Sequence, residues 1–159
     1  MENKPKKILI LWTLRGLIKN LNKINIINPE TKTSDLYVML AKGLIKNKIT
    51  DEAELVWIDP NLKEKSFFIS PKIKILVFSS VSRAAKTLKN KKYDYLFVRG
   101  NYQEFAEIAN GVKADFKMFY AADPEYWPTW FTKDYFNLIF VDEKSQIDAG
   151  KKLYPKARL

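Results

Sequence analysis

Six short apolar runs recur along this chain, and their spacing restricts the fold more than any other feature. They are KILILW (7–12), ELVWI (54–58), KILVFS (74–79), YLFVR (95–99), KMFYAA (117–122) and LIFVD (138–142). Most are continuous rather than alternating, the pattern of strands buried on both faces. Helical periodicity fills several of the intervals. TSDLYVMLAKGLIKN (33–47) offers Thr33 or Ser34 as a cap, and Leu36, Met39, Leu40, Gly43 and Leu44 fall on one helical face. SRAAKTLKNKK (82–92) is shorter. YQEFAEIANGV (102–112) buries Phe105, Ile108 and Ala109 and ends at Gly111. SQIDAGKKLYP (145–155) reads as capped by Ser145 and stopped by Pro155. Strands alternating with helices imply crossover connections and a mostly parallel sheet. The expectation is one α/β domain over residues 1–159, doubly wound in three layers, with about six or seven strands.

Two connections stand out in that frame. Thr13–Thr33 is about twenty residues, long for a strand-to-helix loop. Ala121–Asn137 follows the fifth run. Both leave strands at their carboxyl ends, the edge where open α/β sheets hold ligands.

Composition narrows the chemistry available there. The 159 residues include neither cysteine nor histidine. Thiolate chemistry, disulfides and zinc sites built on cysteine are excluded, and so is the commonest neutral-pH general base. A general base has to be Asp or Glu in the first instance. The formal net charge is +10, with ten basic and three acidic residues in positions 1–50. A basic face suits nucleic acid, an anionic membrane or a phosphorylated ligand; a genomic base composition that favours Lys, Ile and Asn would give the same excess. No apolar stretch approaches the roughly 20 residues that span a bilayer. The lysines before KILILW imitate a signal peptide, but a buried first strand fits the short run better. The chain therefore reads as cytoplasmic.

Four places on the carboxyl edge are candidates. At Arg99-Gly100-Asn101, Gly100 permits close backbone approach, Asn101 can cap the next helix, and Arg99 can meet a phosphate or carboxylate; an ordinary turn with Arg99 in solvent or an internal ion pair is the plainer alternative. Thr13, Arg15 and Gly16 close the first strand. They lack the glycines of a dinucleotide fingerprint and of a P-loop, and Arg15 and Gly16 stay as candidate ligand contacts. Asp123, ahead of Pro124 and Glu125, can serve as a base for a substrate hydroxyl or as a helix cap. Between Phe119 and Phe136 lie eight of the 22 aromatics. If 125–133 is helical, Tyr126, Trp127, Trp130 and Phe131 share a face. The rings then serve as a stacking platform, as a membrane anchor, or as core filling.

The chain resembles the N-terminal, acceptor-side half of a GT-B glycosyltransferase of the retaining, nucleotide-sugar-dependent type. KKILILW entering a long loop, YDYLFVRGNYQEFAEIA, ADFKMFYAADPEYW and DYFNLIFVDEKSQIDAGKKLYPKARL carry the likeness. It covers most of the chain through generic motifs, the last being the most persuasive. It implies a Rossmann-like domain, one half of a GT-B fold, that binds a glycan or lipid-linked acceptor. The nucleotide sugar is then a donor substrate held by a C-terminal domain supplied in cis or in trans. That domain is absent from this chain, so the isolated chain is expected to be inactive. The resemblance also implies a position at the inner face of the membrane, against anionic lipid. Asp123 carries over from the family's His-Asp pair; the histidine does not, Ala122 standing in its place. With the motif readings, the expected substrate contacts are Thr13, Arg15, Gly16, Arg99, Gly100, Asn101, Glu125, Trp127 and Trp130. No metal and no cofactor is expected in this chain.

Two other readings compete. A stand-alone basic module for nucleic acid or another anionic ligand, without catalysis, is disfavoured for nucleic acid because the lysines spread over helices and loop without a binding motif. A receiver-like or flavodoxin-like regulator needs acids at the end of the first strand, where Trp12, Thr13 and Arg15 stand.

Overall fold

In a computed structural model the described residues are 4–11, 36–99, 103–121, 127 and 130–159. They form a seven-stranded sheet, β1 (Lys7–Leu11), β2 (Glu52–Ile58), β3 (Lys65–Ser70), β4 (Ile73–Phe78), β5 (Lys92–Arg99), β6 (Lys113–Ala121) and β7 (Leu138–Val141), and four helices, α1 (Leu36–Lys46), α2 (Val81–Leu88), α3 (Gln103–Gly111) and α4 (Ser145–Leu153). The spatial order is β3-β4-β2-β1-β5-β6-β7. Every pair is parallel except β3–β4. This is the Rossmann-like α/β sheet that the six runs predict, with one added strand.

The added strand is KSFFIS at the sheet margin. Its short apolar centre sits between lysines and a Ser-Pro-Lys turn, so it gives a weak strand signal. It returns antiparallel on β4 with a register shift between Phe68 and Ser70, the kind of irregularity that blunts an edge.

Continuous apolar runs form this sheet because both faces are covered. Along β1, Ile8 and Ile10 enter one core cluster, while Leu9 and Leu11 enter the other. The front cluster packs under α1, through Tyr37, Val38 and Ala41. The back cluster takes in Ala84 and Leu88 of α2, and Phe105, Ala106, Ile108 and Ala109 of α3. Tyr154, just after α4, joins it with Phe119, Phe131 and Phe136.

Several local expectations are corrected. On α1 the buried stripe is Tyr37, Val38 and Ala41, and Met39 is 55% exposed. Leu40 and Leu44 are half-buried and pack against the same cluster, so Tyr37 and Val38 join the expected face and Met39 leaves it. The second helix begins under a Ser80 cap, whose side chain accepts the Arg83 N–H, and ends at Leu88. Asn90 then turns left-handed (φ 64°), which frees Lys92 to start β5. Ser145 does not cap α4. Its hydroxyl bonds Glu143, and Gln146 Oε1 accepts the N–H groups of both Asp142 and Glu143. Trp130 to Phe136 are turns rather than helix. The Thr33 or Ser34 cap lies outside the described residues.

Candidate functional site

Neighbouring connections diverge between β1 and β5. The chain leaves β1 through α1 toward β2 and leaves β5 through α3 toward β6, on opposite faces of the sheet. Such a switch point opens a crevice at the carboxyl ends of the strands. Arg99, the last residue of β5, stands there, one step beyond the Leu11–Val98 register pair.

Three neighbours reach Arg99 or its immediate partner from separate elements. Arg99 pairs in register with Tyr120 of β6, and its guanidinium carbon sits 5.6 Å from the centre of the Tyr120 ring, a cation–π contact. Arg99 Nη1 donates to Tyr37 Oη of α1 at 3.4 Å. The Tyr120 hydroxyl donates to Asp142, with both carboxylate oxygens at 2.8 Å. Asp142 follows β7 directly. Strand register thus places a cation, an aromatic ring and a carboxylate side by side on the front of the sheet.

The electrostatics of the group are coupled. The hydrogen bond to Asp142 raises the Tyr120 hydroxyl above its ordinary pKa, because the bond needs the phenol proton. Burial and the Asp142 charge add to the rise, and the Arg99 charge opposes it. Tyr120 therefore stays protonated, as a donor committed to Asp142. Asp142 is exposed and retains acceptor capacity toward solvent. Arg99 supplies donors, Asp142 acceptors and Tyr120 a ring face, a set suited to a polar ligand carrying hydroxyl or anionic groups.

Gln146 holds this edge in place. It is 1% exposed, donates Nε2 to the Ala121 carbonyl at 2.9 Å, and receives the Asp142 and Glu143 N–H groups at 2.8 Å. One amide therefore ties the end of β6 to the turn that presents Asp142.

Of the residues expected from sequence, Arg99 is in this group. Trp127 packs in the back cluster, ring to ring with Phe119 and Tyr154, and is not brought to Arg99. Trp130 is 39% exposed in the turn before β7. Thr13, Arg15, Gly16, Gly100, Asn101, Asp123 and Glu125 lie outside the described residues. Tyr37, Asp142 and Gln146 escaped the sequence reading. An acid at the carboxyl end of the last apolar run was the signal that would have found Asp142. Nothing local marks Tyr37, whose partner is 62 residues away.

Among the described residues no cluster of carboxylates could hold a metal ion. No described helix is long and apolar enough to cross a membrane. No protein-family model, curated protein or solved structure matches the chain.

Proposed function

We propose that this chain is the acceptor-side domain of a nucleotide-sugar-dependent glycosyltransferase. The observation that carries the reading is the convergence of Arg99, Tyr120 and Asp142 at the switch point of a Rossmann-like sheet. A saccharide presents hydroxyls in both donor and acceptor roles and an apolar ring face. A carboxylate, an aromatic ring and a guanidinium within one group answer all three needs. The sequence resemblance suggests the same assignment, through segments that include Arg99, Tyr120 and Asp142. On this reading a second domain binds the donor, and this chain supplies acceptor contacts and orientation, with Asp123 as the base of the transfer.

Calorimetric titration with UDP- and GDP-sugars, alongside a glycan array, tests the proposal. The expected result is glycan binding on the array and no donor binding to this chain. Tight nucleotide-sugar binding, or an array with no bound glycan, would contradict it.

A further inference from the structure

The two margins of the sheet are finished differently. Beyond β7 the chain closes its own edge: Arg158 bridges Leu138, the Ile139 N–H donates to the Arg158 carbonyl, and the Arg158 N–H donates to the Asn137 carbonyl. Beyond β3 no described strand follows. β3 therefore presents an open row of backbone groups.

The hydrogen bonds of β4 show which groups these are. The Lys72 and Phe78 carbonyls accept from Ala53 and Asp59, on the β2 side. Along a strand successive residues turn their N–H and C=O to opposite sides, so Lys74 and Leu76 also face β2, while Ile75 and Val77 face β3. Their register partners Phe67 and Lys65 bond inward. Ser66 and Phe68, opposite Leu76 and Lys74, point their N–H and C=O away from the sheet. The register shift falls beyond Phe68 and leaves Lys65–Phe68 regular.

The side chains of this margin define what it can receive. Phe67 and Ile69 turn into the front cluster. Phe68 alternates to the back and is 65% exposed, the most exposed large apolar side chain among the described residues. The Lys65 and Lys74 ammonium groups sit 5.7 Å and 5.6 Å from the ring centres of Phe67 and Phe68. Lys63 is exposed just before the strand. Glu64, the acid between these lysines, is already held by Arg83 and by the Ser79 hydroxyl.

We propose that β3 is a docking edge for an extended acidic segment of a partner protein, which adds to the sheet as a further strand. Outward N–H and C=O groups of Ser66 and Phe68 supply the backbone pairing, the Phe68 ring takes an apolar side chain of the incoming strand, and Lys63, Lys65 and Lys74 meet its carboxylates. A second copy of the chain is the weaker occupant. Self-pairing of β3 would set lysines against lysines on a chain of net charge +10. Lysines on a margin thus exclude its own kind and admit an acidic strand. The edge lies apart from Arg99, at the far end of the sheet order, and its use does not depend on the acceptor reading.

A fluorescein-labelled ten-residue peptide alternating glutamate and valine tests the edge by anisotropy, with a lysine–valine peptide as control. The acidic peptide should bind and the basic one should not. Hydrogen exchange followed by NMR should show new protection at the Ser66 and Phe68 amides. Ser66→Pro removes an outward donor without changing charge, and an edge strand tolerates it. It should weaken binding about tenfold or more, because the ring also projects toward the incoming chain, and leave Tm within a few degrees. Lys65→Glu should weaken binding severalfold. No binding of the acidic peptide, equal binding by a folded Ser66→Pro variant, protection that appears away from Ser66 and Phe68, or self-association of the unchanged protein through these amides would overturn the proposal. The exchange measurement decides the matter on the unchanged protein if Ser66→Pro does not fold.

Discussion

The two faces of the sheet are built to different standards. The back is sealed by α2, α3, Tyr154 and a close set of rings. Phe136 lies 4.8–5.4 Å from the ring centres of Phe119, Phe131, Tyr135 and Tyr154. The front has α1 as its helix among the described residues, packed over β2 and β4. Over β5–β7 it shows Phe116, 38% exposed, and Phe140, 44% exposed. The candidate site lies at the end of this less covered face. The contrast separates a sealed face that holds the larger share of ring packing from one that leaves large side chains exposed.

Breaking the back face should cost most. Phe136→Ala removes the ring on which the cluster converges. It should lower stability by about 3–5 kcal/mol, a fall in Tm of about 10–15 °C for a chain of this size, measured by thermal melting. Gln146→Leu removes three hydrogen bonds and leaves the Ala121 carbonyl without its amide partner. Chemical denaturation should show a loss of about 1–3 kcal/mol, and ligand binding should weaken as the Asp142 turn loosens. Gly150→Ala sharpens the packing claim. Helix propensity alone favours alanine by about 1 kcal/mol. The added Cβ, however, would lie 2.7 Å from both Trp127 Cη2 and Leu159 Cδ2. Overpacking should win, with a net loss of about 1 kcal/mol.

The faces should also part at high pH. Burial pushes the Tyr154 hydroxyl up to about 12 and raises Tyr135, while burial and a hydrogen bond to Glu54 raise Tyr93. All three belong to or pack on the back cluster. Their contribution is intact below the unfolded-state value near 10 and is lost as pH climbs through the folded values. Tm should therefore fall by several degrees between pH 10 and 12, and tyrosinate absorbance should rise in step with unfolding. The smallest effect belongs to the front. Phe140→Ser should change stability by less than about 0.5 kcal/mol; a loss comparable to that of Phe136→Ala would erase the contrast.

The fold was legible in the sequence because strands buried on both faces need continuous apolar runs, and six of the seven strands have them. β3 was missed for the complementary reason: it is a margin strand with Phe68 65% exposed and lysines on both sides. The aromatic stretch from Phe119 to Phe136 was legible as a cluster but not as to its use. Which rings fill the core depends on turns that periodicity does not encode, and Phe131, Tyr135 and Phe136 pack inward without a helix. Arg99 could be placed because it ends a strand at the carboxyl edge. Tyr37 and Asp142 reach that edge only through sheet order, β1 beside β5 and β7 beside β6, which the linear chain does not display.

The most direct test pairs binding with stability in one variant. Arg99→Ala, with Tm measured on the same sample, should lose at least tenfold in affinity for the glycan selected on the array and melt within 2–3 °C of the unchanged protein, the loss expected of a ligand contact of about 1.4 kcal/mol or more. Undiminished binding, or a fall in Tm as large as that expected of Phe136→Ala, would show that Arg99 serves the fold and not a ligand.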